Sequence, residues 1–145
     1  MNENTMYLKI PSKSMNERFA RTVCAAFVLS LDPTVEELSE IKTAVSEAVT
    51  NAVIHGYNGQ DGEIEIYASV SERTVTYKIT DHGLGIADIE MARKPLYTGK
   101  PECERSGMGF SIMEAFTDEL TVESKIGEGT TVVMTKRLGD NADKC

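Results

Sequence analysis

A change of hydrophobic period in mid-chain is what most restricts the fold. Ile41, Ala44, Val45, Ala48, Val49, Ala52 and Val53 recur at spacings of three and four, the stripe of a helix with one buried face. Thr34 with Glu37 supplies a capping box at its start, and Gly56 a natural stop. After the turn residues "YNGQDG" the period drops to two. Ile64, Ile66, Ala68 and Val70 alternate with polar neighbours, and beyond "SER" so do Val75, Tyr77 and Ile79. Such runs read as adjacent antiparallel strands, each with one face to bury. Helix stripe and strand faces satisfy each other when helices cover one side of a sheet.

The flanks agree. Met6, Leu8 and Ile10 alternate in a short strand ended by Pro11. Ser14 with Glu17 predicts a second capping box, opening a helix that carries Phe19, Val23, Ala26, Phe27 and Ser30. "LDPT" breaks it. Residues 81–109, "DHGLGIADIEMARKPLYTGKPECERSGMG", are rich in Gly, Pro and charge and read as a long functional loop. A short helix near residues 87–93 lies within it, ended by Pro95. "FSIMEAF" resumes a helix, and "ELTVES" and "TTVVMTKRL" close the chain as a hairpin about "KIGEG". The expectation is one α/β layered (α+β) domain over residues 1–145. Its helices cover one face of a mostly antiparallel sheet, and the tail is loose from about 139.

Several function classes are disfavoured. No apolar run approaches the roughly 20 residues of a membrane span. "MNENTMYLKI" lacks the basic and apolar regions of a secretory signal, so the expected location is cytoplasmic. Cys24, Cys103 and Cys145 are odd in number and far apart, against a disulfide framework or a zinc site. A net charge of −8 disfavours direct binding of nucleic acid, which needs basic clusters, and suits a basic protein partner.

Three short motifs carry candidate chemistry. Glu47, Asn51 and His55 stand four apart in "SEAVTNAVIHG" and form one row beside the apolar stripe, where a cleft can lie. Taken alone, they are explained more simply by a solvated Glu47 and an Asn51 bonded to a nearby carbonyl. "DHGLG" puts Asp81 at a strand end, with Gly83 and Gly85 in a turn that suits either close approach to a ligand or simple chain reversal. "SGMGF" places Gly107 and Gly109 at a helix start, as an anion site or a loop hinge. Familiar nucleotide signatures do not fit. A dinucleotide fingerprint would need glycine where Asp88 stands. A P-loop around "TGKP" fails at Lys94 and Pro101. An EF-hand starting at Asp81 lacks its oxygen ligands.

In order and spacing, "EAVTNAVIHG", "DHGLG", "SGMGF" and "GEGTT" resemble the nucleotide boxes of the superfamily of gyrase, ninety-kilodalton heat-shock chaperones, histidine kinases and mismatch-repair proteins. "FARTVCAAFVLSLDPTVEELSEIKTAVSEAVTNAVIHGY" and "ERSGMGFSIMEAF" further resemble its sporulation anti-sigma F family, serine kinases of an anti-anti-sigma factor. The resemblance implies a Bergerat-type ATP-binding α/β sandwich with a mobile lid over about residues 90–108. It implies ATP or ADP with Mg²⁺ as cofactors, Glu47 as general base and Asn51 as Mg²⁺ ligand. Asp81 would accept the adenine amine, Gly83 and Gly85 would approach the base, and Thr130 would add a further adenine-side contact. Gly107, Met108 and Gly109 would face the phosphates, while Lys100 and Arg105 in the lid would neutralise their charge. Arg21 matches a partner-contact position, although a solvated helix arginine would look the same. The implied partners are a sigma factor, a small anti-anti-sigma protein as kinase substrate, and a second copy paired through the first strand. A stress-response sigma factor, or nucleotide-gated binding without essential kinase activity, are the alternatives. Two residues depart from the family pattern: His82, where an acidic residue is expected beside adenine, and Gly99, where a threonine is expected before "KP".

Overall fold

The computed structural model describes residues 3–94 and 109–139. Five strands form one sheet: β1 (Asn4–Pro11), β2 (Glu63–Ser71), β3 (Thr74–Asp81), β4 (Glu119–Lys125) and β5 (Gly129–Arg137). Their order is β1-β2-β3-β5-β4, and every neighbouring pair is antiparallel. The sheet is thus antiparallel throughout, where the sequence predicted mostly so. Period two sets its faces: Ile64, Ile66, Ala68, Val75, Tyr77 and Ile79 are buried, while Tyr7, Tyr67 and Lys78 on the other face are exposed.

Among the described residues, helices α1 (Met15–Phe27), α2 (Val35–Asn51), α3 (Ile89–Ala92) and α4 (Gly109–Phe116) accompany the sheet. α2 lies between α1 and α4, and its stripe of Ile41, Ala44, Val45, Ala48 and Val49 is fully buried. Burying each larger aliphatic side chain contributes about 1.5–3 kcal/mol, so this stripe holds helix to sheet. The Thr34–Glu37 capping box forms as predicted, with hydrogen bonds of 2.8 and 3.0 Å.

The predicted box at Ser14 does not form. Ser14 is itself helical, with φ −56° and ψ −34°, and its side chain caps nothing. Glu17 instead accepts the Ser46 hydroxyl from α2 and pairs with Arg21 at 3.6 Å. Ser30, predicted on the first helix, falls in a short 3-10 turn (Leu29–Leu31) after α1 has ended. Gly139, predicted to begin a loose tail, is bonded on both sides: its N–H donates to Glu37 at 2.9 Å, and its carbonyl accepts from Arg73 at 2.6 Å. The predicted short helix appears as α3, capped by Asp88, which accepts the Met91 N–H at 3.0 Å. Among the described residues no helix is long and apolar enough to cross a membrane.

Candidate functional site

Helix α2 does not stop at Asn51 but continues through a single π-helical turn, Ala52–Gly56. Such turns are uncommon and cluster at functional sites. Here the turn closes one side of a cavity of about 300 Å³, the size of small-ligand sites. Asn51 and His55 line it from α2 and the π turn, Asp81 and Thr130 from β3 and β5, Gly85 from the loop after β3, and Gly109 from the start of α4. Glu47 sits one turn before Asn51. Both are drawn towards α4: a methyl group built on Gly109 would stand 3.2 Å from the Asn51 amide and 3.3 Å from a Glu47 carboxyl oxygen. The start of α4 therefore closes over this pair, where a larger residue than glycine would crowd them.

The other end of the cavity is built around Asp81. Its carboxyl is buried, and Asp81 faces Thr130 across the β3–β5 ladder. Burial pushes the carboxyl above its usual range, against hydrogen bonds from the Gly83 and Thr130 backbone and the nearby His82, which pull it down. The Gly83 N–H donates to Oδ1 at 2.9 Å.

Two glycines have uses the sequence does not disclose. Gly56 reads as a helix stop, yet a Cβ there would lie 2.7–2.8 Å from the Asp81 carboxyl atoms. Its bare backbone leaves the space that carboxyl occupies. At Gly83 a Cβ would fall 1.9 Å from the Gly56 carbonyl oxygen, which accepts the Leu84 N–H at 2.7 Å. Gly83 is thus required by the protein's own chain, and so is Gly85, which lines the cavity at φ 80° and whose Cβ would fall 2.2 Å from the Lys125 carbonyl oxygen.

The remaining predicted site residues fall elsewhere. His82 turns towards β2, where its Nε2 lies 2.7 Å from Glu65. Arg21 lies on α1, paired with Glu17. Lys100, Arg105, Gly107 and Met108, most of the expected lid and Gly99 lie outside the described residues. Cys24 is buried in α1, and burial pushes its thiol up to about 12, so it is chemically quiet. Sequence reasoning missed Ser124, whose hydroxyl bonds Thr130 Oγ1 at 2.7 Å. Its signal, a serine two residues before the closing turn, is too common to single out.

A helix-borne Asn and Glu thus stand towards one end of the cavity and a buried carboxyl at the other. The family of histidine kinase-like ATPase domains matches residues 10–136. The chain belongs to that family. Over almost its whole length it is similar to anti-sigma F factors. It is 54% identical to that of Clostridium beijerinckii over 95% of this chain and 97% of the relative. With that of Geobacillus kaustophilus it shares 53% identity over 98% of both chains. The fold also matches part of a Mycobacterium tuberculosis structure that comprises RsbU and RsbW domains, with a TM-score of 0.67 and 21% identity, over 93% of this chain and 32% of that longer one.

Proposed function

We propose that this chain is an anti-sigma factor that is also an ATP-dependent protein serine kinase. It holds a sporulation sigma factor inactive, and it phosphorylates and so inactivates a small anti-anti-sigma protein. The observation that carries the reading is a single cavity with Asn51 and Gly109 at one end, Glu47 beside them, and the buried Asp81 at the other. The similarity to anti-sigma F factors supports a sigma factor as the partner.

In this reading Asp81 and Thr130 hold the adenine edge, and the phosphates extend towards Asn51 and the start of α4. The donor chemistry at that end suits Mg²⁺, a hard cation that takes only one or two protein oxygens alongside phosphate and water. The Asn51 amide oxygen would hold it, and when bound it supplies charge neutralisation for the phosphates. Glu47 accepts the proton of the substrate serine. The serine oxygen bonds to the γ-phosphorus while the bridging P–O bond breaks and ADP leaves. Such transfer needs positioning and electrostatics more than covalent participation by the protein. Arg21 and its helix face the sigma factor and substrate, and β1, an edge strand among the described residues, joins two copies across a two-fold axis. The protein acts in the cytoplasm.

The test uses immobilised Glu47→Gln protein in native lysate with Mg-ATP or Mg-ADP, and a phosphotransfer assay on the small protein retained. A sigma factor held with ATP is expected, as is a small partner phosphorylated on serine by the wild type. The Glu47→Gln rate should fall by about 10²- to 10⁴-fold with nucleotide binding kept. Full activity in that variant removes Glu47 from the chemistry. A retained sigma factor without any phosphotransfer by the wild type leaves a nucleotide-gated binding protein.

A further inference from the structure

Behind the Asp81–Thr130 end of the cavity, on edge strand β4, Ser124 makes three contacts with one hydroxyl. Its Oγ accepts the Ile86 N–H at 2.7 Å. It lies 3.0 Å from the Gly129 carbonyl oxygen and 2.7 Å from Thr130 Oγ1. A hydroxyl has one proton and two lone pairs. The Ile86 amide can only donate and the Gly129 carbonyl can only accept. These two contacts use one lone pair and the only proton of Ser124. All three contacts therefore coexist in a single way, with Thr130 donating its own proton to Ser124.

Thr130 lines the cavity. With its proton turned back into the sheet, its oxygen offers lone pairs alone to a ligand. Asp81, opposite it in register, offers a carboxylate. That end of the cavity thus consists of acceptors facing acceptors. It suits a ring amino group, whose two N–H bonds can serve both acceptors, and opposes a carbonyl oxygen in its place, because a buried acceptor without a donor is costly.

We propose that Ser124 is a positioning residue that locks Thr130 as an acceptor and thereby sets the cavity's preference for a 6-amino over a 6-oxo purine. This rests on the nucleotide reading given above. Removing the Ser124 hydroxyl frees the Thr130 proton to turn into the cavity and meet a 6-oxo group. It also unties Ile86, which weakens every ligand alike, so the ratio of two affinities is the informative quantity.

Isothermal titration with Mg-ADP and Mg-IDP at pH 7.5 reads that ratio. The proteins are the wild type, Ser124→Ala, Ser124→Thr, Thr130→Val and the Ser124→Ala/Thr130→Val double variant, each first checked for a cooperative Tm. The wild type prefers Mg-ADP. Ser124→Ala narrows the preference about fivefold to tenfold, the equivalent of one ordinary hydrogen bond. Ser124→Thr, which restores a hydroxyl, restores the preference. In the Thr130→Val background Ser124→Ala leaves the ratio unchanged, because its effect passes through Thr130. Equal weakening of both nucleotides by Ser124→Ala, or an unchanged ratio, overturns the role of Ser124 while the nucleotide site stands. A wild type that binds neither nucleotide overturns both.

Discussion

Replacing Gly56 by alanine sets helix propensity directly against the geometry of the site. In an ordinary helical turn the change stabilises by about 1 kcal/mol, because alanine orders more cheaply than glycine. Here the new Cβ would stand 2.7 Å from the Asp81 carboxyl carbon and 2.8 Å from both its oxygens. Ordinary contact begins near 3.4 Å, so the carboxyl must retreat by ~0.7 Å. Its 2.9 Å bond from the Gly83 N–H then stretches to a length at which no hydrogen bond remains. Losing a hydrogen bond to a charged group costs about 1.5–3 kcal/mol. Set against the propensity gain, the net loss is about 0.5–2 kcal/mol, a fall in Tm of roughly 1–8 °C for a chain of this size. With the carboxyl displaced, Mg-ADP affinity falls by about tenfold or more. Thermal unfolding with and without Mg-ADP, together with titration calorimetry, measures both effects. A variant with raised Tm and unchanged affinity would falsify the claim that Gly56 exists to seat Asp81.

Other outcomes follow from the same geometry. Burial holds the Asp81 carboxyl above its usual range, so the folded protein keeps that proton more readily than the unfolded chain. Its contribution to stability is therefore fullest in acid and fades as the pH rises through the carboxylate range. Asp81→Asn should raise the Tm of the ligand-free protein at pH 7.5, with the gain shrinking towards pH 4, while Mg-ADP binding is lost; a gain independent of pH would refute the assignment. Tyr77→Phe keeps a buried ring but removes the phenol that donates to the Cys24 carbonyl at 2.6 Å near the end of α1. Urea unfolding should show a loss of about 1–3 kcal/mol at unchanged m-value, and a loss under ~0.5 kcal/mol would mean that water satisfies that carbonyl.

What could be read from the sequence separates from what could not along the line between local and tertiary causes. The α2 stripe, the alternating strands and the Thr34–Glu37 cap follow from periods and side-chain chemistry within a few residues, and all are present. Ser14 and Glu17 carry the same capping signature, yet Glu17 is taken by Ser46 and Arg21. Nothing within four residues of Glu17 announces a partner on another helix. Strand order is hidden for a similar reason, since the hairpin of β4 and β5 can join the sheet by either strand, and joins by β5. That choice places Thr130 opposite Asp81 and Ser124 behind Thr130. In the cavity, the motifs singled out Asn51 and Asp81, which line it, while Gly56 read as a helix stop and Gly83 as a turn or a point of ligand approach. Gly56 and Gly83 show why that reading falls short. Each is small because of an atom distant in sequence, the Asp81 carboxyl for one and the Gly56 carbonyl for the other. Such a glycine resembles a turn residue until the atom that needs its space has been located. It follows that alanine at Gly56 should harm ligand binding more than it harms folding, whereas a glycine serving only as a helix stop would show the reverse.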